Sequence, residues 1–324
     1  MLAKRKRSIT GEIKLSEANL NIDKLSNPTL TKKKKTSLWK IFKSEALFTI
    51  GSTPIIWQII FFYIPLLILV ATSLVKTSTS GQFIGLTLEH FYPLLNTTYL
   101  TIIFNSFGLS LVTTFLCLII GFPLAYFIAF NGGRLKNVLL FLLLIPFWTN
   151  FILHIYAWFF VLEKHGFLNN LLLDLGLISS PLHFLNSTFS VLVMMVYFYL
   201  PFMVLPIFSS LERFNPLLLE ASYDLGANHR QTLQKILLPL TLSAIRAGIF
   251  LVYIPSFGEF VIPELMGGDR NFFVGNVISL FILGEKTGPV GIAFTVLSTL
   301  CLLISLFFIN RFFQYLSKKI TGEA

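Results

Sequence analysis

The sequence predicts an all-α integral membrane protein with six transmembrane helices. Its 324 residues are 55% hydrophobic and only 12% charged, whereas a soluble domain has about 25% charged residues. One soluble core cannot bury so many apolar side chains, so lipid must be the solvent for much of the surface. The helices follow from apolar segments that are each long enough to cross a bilayer, which takes roughly 20 residues. These segments are 54–75, 99–130, 138–160, 188–212, 239–262 and 290–312.

The distribution of Lys and Arg predicts the orientation of these spans, because cytoplasmic loops of membrane proteins carry an excess of both residues. If the N-terminus is cytoplasmic, 21 of the 25 Lys and Arg residues lie in inside segments or at the adjoining ends of the spans. The four in outside loops are Lys76, Lys164, Arg270 and Lys286. The asymmetry predicts that both termini are cytoplasmic, and it explains the net charge of +10 better than nucleic-acid binding does.

Polar tails flank the predicted membrane domain, 54–312. Residues 1–53 form a Lys-rich tail whose composition is typical of a disordered segment attracted to anionic lipid. Over 38–50, apolar residues and lysines are spaced in a way that is compatible with a helix lying flat on the cytoplasmic interface. The first long apolar run is not followed by a small-residue cleavage pattern, so it is interpreted as an uncleaved span. Residues 313–324 form the second cytoplasmic tail.

The spans differ in their helix-breaking residues. The second span, 99–130, is longer than a bilayer requires and contains Gly121 and Pro123, which predict a kink or an extension beyond the bilayer. The third and fourth spans also contain prolines. Prolines are tolerated inside spans where neighbouring helices satisfy the freed backbone groups, so these segments remain predicted spans.

The loop between the fourth and fifth spans, 213–239, is long, polar and rich in helix signals. The dipeptide Asn215-Pro216 is typical of a helix start. Gly226 is typical of a helix end, because glycine accepts the left-handed conformation there. Asn228 with Gln231 predicts a capping box for a second helix. Taken alone, these signals fit a capped solvated loop as well as a functional helical hairpin.

The same loop resembles the EAA loop of the permease subunits of type I ABC importers. The signature positions are Glu220-Ala221-Ser222, Gly226, Ile236 and Leu238-Pro239, with the spacings that the family requires. Ser222 replaces the second Ala of the signature, and because Ser is also small, helix packing should survive. The resemblance covers about 95–312 and implies the six-helix MetI-like permease fold, in which the last five spans form the shared core.

The resemblance also implies a role for this loop, which is a coupling helix that docks in a groove of a separate ATPase subunit. It implies a polar anchor at Glu220, a close approach of the ATPase at Ala221 and a bend at Gly226. The ATPase-coupling residues predicted on this basis are Glu220, Ala221, Ser222, Gly226, Ala227, His229 and Arg230. The sequence has no Gly-x-x-x-x-Gly-Lys-Ser/Thr loop. We therefore expect ATP and Mg to bind to the partner ATPase, and this chain to bind no cofactor and catalyse no reaction.

A second stretch, 255–268, together with Asn276-Val277-Ile278, resembles the spermidine/putrescine permeases, specifically the first of their two permease subunits. This resemblance implies polyamine import across a bacterial inner membrane. The implied partners are a second homologous permease subunit, an ATPase dimer and a periplasmic or lipid-anchored substrate-binding protein. Ferric iron, sulfate or another small solute stays an alternative substrate, because permeases for these resemble the same stretch.

Chemistry within the spans independently favours a cation as substrate. Glu259 lies near the predicted outer end of a span, and an acidic residue at membrane depth is a functional candidate. Carboxylates and aromatic faces both attract ammonium groups, although each aromatic residue also fits core packing or interfacial anchoring. The predicted path residues are Glu259, Trp148, Tyr197, Tyr253 and Phe257, and Glu264 and Asp269 are predicted at an outside docking face or mouth.

Two other functional classes fit the sequence less well. A membrane-embedded enzyme is disfavoured because the five His residues are scattered and form no His-Glu-x-x-His motif. A secondary transporter would be expected to have broken helices and charges at the membrane midplane, whereas the charge here is concentrated in the loop 213–239. It is kept as the second alternative to an importer permease.

Overall fold

The computed structural model describes residues 45–77, 83–268, 272–284 and 288–321. Most of the predicted basic tail and the predicted site residue Asp269 lie outside the described residues. The chain divides into two compact units, Met1–Leu67 and Ile68–Ala324. The described part of the first unit is helical, with α1 (Glu45–Gln58) followed by a π-helical turn (Ile59–Tyr63) and by the start of α2 (Ile64–Leu74).

The second unit begins with the rest of α2 and a short hairpin, and helices dominate the remainder. In the hairpin, β1 (Val75–Thr77) pairs antiparallel with β2 (Phe83–Leu86). The helices that follow a 3-10 turn (Glu89–Leu95) are α3 (Thr97–Tyr126), α4 (Lys136–Trp148), α5 (Phe151–Leu162), α6 (Phe167–Asp174), α7 (Thr188–Glu212), α8 (Leu217–Asp224), α9 (His229–Thr232), α10 (Leu238–Phe257), α11 (Val261–Met266), α12 (Val274–Leu283) and α13 (Pro289–Thr321). Lys76 of β1 pairs with Glu89 at 2.7 Å, and this cation holds the pKa of the Glu89 carboxyl below its ordinary value.

Candidate membrane spans match five of the six predicted segments. Within the described residues, the helical stretches that are long and apolar enough are Gly51–Leu74, Thr97–Asn131, Thr188–Glu212, His229–Phe257 and Pro289–Lys319. The sixth is a bent pair, Gly133–Trp148 and Phe151–Asp174, whose two helices meet at 98°. The fold class is therefore confirmed, with one span broken.

The prediction of one continuous helix over 138–160 is wrong, and local chemistry explains the break. Thr149 takes an extended conformation, with φ −103° and ψ 163°. The side chain of Asn150 then accepts a hydrogen bond from the backbone N–H of Ile152 at 2.9 Å, which makes it the N-cap of α5. An Asn at this position stabilises a helix start, so Asn150, inside the predicted span 138–160, begins a new helix.

The core of the second unit forms where α3 and α10 pack on α7. Gly121 of α3 and Gly248 of α10 both lie against Met203 of α7. A Cβ at Gly121 would lie 3.1 Å from Met203 Cγ, and one at Gly248 would lie 2.8 Å from Met203 Sδ. Small residues let membrane helices approach closely, so these glycines set the spacing of the three central spans.

A second buried cluster joins the 3-10 turn, α3, α12 and α13 through Leu94, Ile103, Val274 and Phe294. Buried Ser106 of α3 accepts a hydrogen bond from the backbone N–H of Val274 at 2.8 Å. This contact fixes the first turn of α12, since one of the otherwise unpaired N–H groups at its start is satisfied. The start of α12 is therefore held against α3.

Candidate functional site

The polar loop forms a hairpin of α8 and α9, and its helix signals act as predicted. At the start, Asn215 Oδ1 accepts from the N–H of Leu217 at 3.1 Å. At the end of α8, the N–H of Ala227 donates to Ser222 O at 3.0 Å, and the N–H of Gly226 donates to Tyr223 O at 2.8 Å. This pair of bonds is the Schellman pattern. It requires the left-handed conformation that Gly226 adopts, with φ +80°.

The second helix of the hairpin is joined directly to a span. Asn228 and Gln231 form the predicted capping box, with both of its hydrogen bonds at 2.9 Å. Helix α9 then runs through a π-helical turn (Leu233–Leu237) into α10, so that His229–Phe257 is one stretch of 29 residues. A displacement of α9 therefore also displaces the end of the span that it joins, because no loop separates α9 from α10.

Ser222, the departure from the family signature, links the two helices of the hairpin. Its side chain is buried, with 4% of its surface exposed. Ser222 Oγ donates to Leu219 O at 2.7 Å and lies 2.9 Å from the hydroxyl of buried Thr232. The expectation of a merely tolerated small residue missed this bond, because the partner lies on the other helix.

The hairpin exposes both charged and apolar side chains. Glu220, Ala221 and Arg230 are exposed, and Ala227 is half-buried. Beside them, Leu217 is 63% exposed and Leu225 is 88% exposed. Exposed charged and apolar side chains together are compatible with a protein contact surface, and the coupling role of this hairpin stays a prediction.

His229 has a partner inside the hairpin. Its Nδ1 lies 2.8 Å from the hydroxyl of Tyr223, and the two rings are nearly parallel with centroids 6.3 Å apart. This contact is a second bridge between α8 and α9. It leaves Arg230, the next residue, as the exposed cation of the hairpin's second helix.

An ion pair that the sequence did not predict lies just before the hairpin, at the end of α7. Lys136 at the start of α4 lies 2.7 Å from Glu212 at the end of α7. The same Lys136 Nζ lies 5.0 Å from the centre of the Phe208 ring, a cation–π distance. The partners are far apart in sequence, and no local pattern signals them.

Glu259 lies beyond the far end of the span that the hairpin begins. At 1.5 Å per residue, a straight helix of the length of His229–Phe257 extends about 43 Å. Glu259 and the hairpin therefore lie at opposite ends of the same span. Glu259 is half-buried. Its Oε2 accepts from the Tyr199 hydroxyl at 2.6 Å, and its Oε1 accepts from the N–H of Val261 at 3.1 Å. The carboxylate is thus held in one orientation by donors on α7 and α11.

The other predicted path residues make contacts with residues other than Glu259. Tyr253 is buried, and its hydroxyl donates a hydrogen bond to Ser305 Oγ at 3.0 Å. Phe257 is also buried, and its ring centroid lies 4.8 Å from that of Phe107. Trp148 is 72% exposed. Their placement on the transport path therefore stays a prediction, and for Tyr253 and Phe257 the contacts are those of core residues.

Tyr197 belongs to a polar cluster at the broken span. Its hydroxyl lies 3.0 Å from His154 Nδ1, and its ring meets that of Trp158 edge to face at 5.6 Å. His154 in turn contacts the Thr149 hydroxyl at the break. The residue that does reach Glu259, Tyr199, was not among the predicted site residues, because two tyrosines in one apolar helix give no sign of which face each occupies.

Glu264 is exposed and has a buried partner. Its Oε2 accepts from Asn276 Nδ2 at 2.6 Å, and Asn276 is only 2% exposed. The sequence placed Glu264 at a docking face or mouth but gave Asn276 no role. Across the part of the chain that the structure describes, no group of three or more His, Cys, Asp and Glu side chains could hold a metal ion.

Comparison with known proteins identifies relatives for most of the chain. A family model described as "Binding-protein-dependent transport system inner membrane component" matches residues 121–322. The spermidine/putrescine transport system permease protein PotB of Escherichia coli (strain K12) is 37% identical over 269 residues, which cover 82% of this chain and 98% of that protein. Its counterpart in Haemophilus influenzae is 36% identical, with 82% and 94% covered. The inner membrane ABC transporter permease protein YdcU of Escherichia coli (strain K12) is 32% identical, with 70% and 76% covered.

Solved structures support the same fold. A chain of a bacterial ABC transporter involved in the import of the acidic polysaccharide alginate matches with a TM-score of 0.69 at 19% identity, covering 87% of this chain and 99% of that one. A chain of a bacterial alginate transporter in complex with a pentasaccharide-bound periplasmic protein matches with a TM-score of 0.64 at 20% identity, with 87% and 98% covered. At such identities the likeness concerns the fold alone.

Proposed function

Because the chain belongs to the family of binding-protein-dependent transport system inner membrane components, we propose that it is the permease subunit of an ATP-driven importer of polyamines. It forms half of the translocation pathway, and a second homologous permease subunit forms the other half. A cytoplasmic ATPase dimer binds ATP and Mg, and a periplasmic or lipid-anchored protein delivers the substrate. Both termini and the α8–α9 hairpin lie in the cytoplasm.

One observation supports the coupling role. The two helices of the hairpin are bonded to each other, and the hairpin continues into a span. The Schellman bonds at Gly226 and the bond between Ser222 and Thr232 make α8 and α9 one body. Since α9 continues into α10, a push on the exposed face around Glu220 is transmitted along the span. Movement of rigid helices in this way is a general means of switching a site at a distance.

Two observations support polyamines as the substrate class, namely the sequence relatives of this chain and the negative charge of Glu259. Relatives that are 36–37% identical are named as spermidine/putrescine permeases. At the end of the span opposite the hairpin, Tyr199 and the backbone of α11 hold the Glu259 carboxylate in place. A fixed carboxylate is a suitable partner for an ammonium group, because a charge-assisted hydrogen bond is stronger than a neutral one.

Reconstitution tests this proposal directly. The chain is purified together with the proposed second permease, ATPase and substrate-binding protein and placed in liposomes, and ATP-dependent uptake is measured for spermidine, putrescine, ferric iron and sulfate. Uptake of the two polyamines alone is expected. Uptake of iron or sulfate instead would transfer the proposal to that substrate, and uptake by this chain without an ATPase would indicate a secondary transporter.

The Glu220→Ala variant tests the coupling role in the same liposomes. Removing the carboxylate from the exposed face is expected to lower uptake about tenfold, which corresponds to the loss of about 1.4 kcal/mol of interaction with the ATPase. Membrane insertion should be unchanged, because Glu220 is exposed and lies outside the apolar spans. Glu163→Gln, at an exposed position outside the hairpin, is the control, and an equal effect of both substitutions would contradict the coupling role.

A further inference from the structure

The packing of the first turn of α12 against α11 leaves an unpaired buried acceptor. Asn276 Nδ2 donates to Glu264 Oε2 at 2.6 Å and lies 3.4 Å from Phe260 O. Asn276 Oδ1 is buried and has no hydrogen-bond partner within the described residues. Reversing the amide would place its oxygen against a carboxylate and a carbonyl, so the orientation is fixed by its neighbours.

Among the described residues, no donor reaches Asn276 Oδ1. Leaving a buried acceptor unpaired costs about 1–3 kcal/mol, and such a group in a native structure calls for an explanation such as a ligand. Around it, the Glu264 carboxylate and the Phe260 carbonyl are acceptors as well. A complementary ligand must therefore bring hydrogen-bond donors, and the exposed carboxylate of Glu264 favours one with positive charge.

This contact between α11 and α12 lies next to Glu259. Gly275, the residue before Asn276, lies so close to the turn after α10 that a Cβ there would be 2.4 Å from Glu259 O. The backbone N–H of Glu264 also donates to Phe260 O at 2.9 Å. Glu259 therefore lies two residues before the short helix α11, and Glu264 lies within that helix, five positions further along the chain.

We propose that Glu264, positioned by Asn276, is a second ammonium-binding subsite beside Glu259, so that a polyamine is held at two of its amino groups as it enters the pathway. This inference rests on the proposed function, since it names the part of the substrate that each carboxylate binds. An ammonium group offers three N–H donors, enough to contact the Glu264 carboxylate and the unpaired Asn276 oxygen together.

The test separates substrate binding from docking of the substrate-binding protein. The complete transporter is reconstituted in liposomes, and two quantities are measured with spermidine. They are the rate of ATP hydrolysis stimulated by the loaded binding protein and the number of spermidine molecules taken up per ATP. Glu264→Gln is expected to lower uptake per ATP about tenfold, as for the loss of one charged contact, while stimulated hydrolysis is unchanged. Asn276→Leu should have the same effect, and Glu163→Gln should have none.

Each other outcome overturns the inference. Loss of stimulated hydrolysis with unchanged uptake per ATP in Glu264→Gln would assign this carboxylate to docking of the binding protein. Parental values of both quantities would leave it without a role in transport. Absence of polyamine uptake by the parent transporter would overturn the proposed function itself and this inference with it. Because Glu264 is exposed, its amide variant tests the inference even if Asn276→Leu fails to fold.

Discussion

At the scale of single residues, Glu259 is the carboxylate whose surroundings restrict it most clearly. Glu259→Gln keeps an oxygen for Tyr199 and removes the charge, so it is expected to lower polyamine uptake about tenfold while the complex with the ATPase still assembles. Uptake in liposomes and co-purification with the ATPase measure the two properties. Tyr199→Phe keeps the charge but frees the carboxylate, so a smaller loss is expected. Parental uptake by Glu259→Gln would exclude the residue from the path.

Ser222 is the residue whose role differs most from its expected one. Ser222→Ala restores the usual signature but leaves the buried Thr232 hydroxyl without this partner, so the free energy of unfolding should fall by about 1 kcal/mol. Replacing Thr232 as well, in Ser222→Ala/Thr232→Val, removes both ends of the bond and should recover much of the loss. Unfolding in detergent of the parent, the single variants Ser222→Ala and Thr232→Val, and the double variant gives the coupling between the two sites. Additive effects would show that the bond contributes nothing.

At the scale of elements, the bend of the hairpin depends on the left-handed conformation at Gly226. A Cβ there meets no atom within 4 Å, so the effect of a substitution comes from the backbone alone. Gly226→Val is expected to strain the Schellman turn by about 1–2 kcal/mol and to weaken capture of the ATPase subunit. Gly226→Asn, which tolerates φ > 0, is the matched control and should retain capture. Equal capture by both variants would contradict a role for the bend.

The elements also show what the sequence could predict. The caps of the hairpin were predicted because Asn215, Gly226 and Asn228 act on backbone groups within a few residues of themselves. The break at Thr149-Asn150 was not, because an Asn in an apolar run is compatible with a polar group inside a span until its Ile152 contact is seen. Hydropathy measures composition and carries no information on helix direction.

At the scale of the whole molecule, five of the six predicted spans match continuous apolar helices, because the bilayer imposes a length and a composition on each one. The contacts that build the site were not predictable, because they join residues distant in sequence. Tyr199 and Glu259 lie 60 positions apart, and Glu212 pairs with Lys136 on another helix. Only the packing of α7 against its neighbours decides which of several similar side chains meet.

The orientation of the whole molecule gives a last prediction. The excess of Lys and Arg on one side predicts that the end of α13 is cytoplasmic and that the segment after α5 is outside. Lys319 and Glu163 are exposed at these two places, so each is replaced by Cys and treated in intact cells with a membrane-impermeant maleimide. Glu163→Cys should react at once, and Lys319→Cys only after the cells are permeabilised. Cys117 and Cys301 lie within α3 and α13, and the parent protein measures their background. The reverse pattern would place the hairpin outside the cell, where no ATPase can reach Glu220, and would overturn the coupling role together with the orientation.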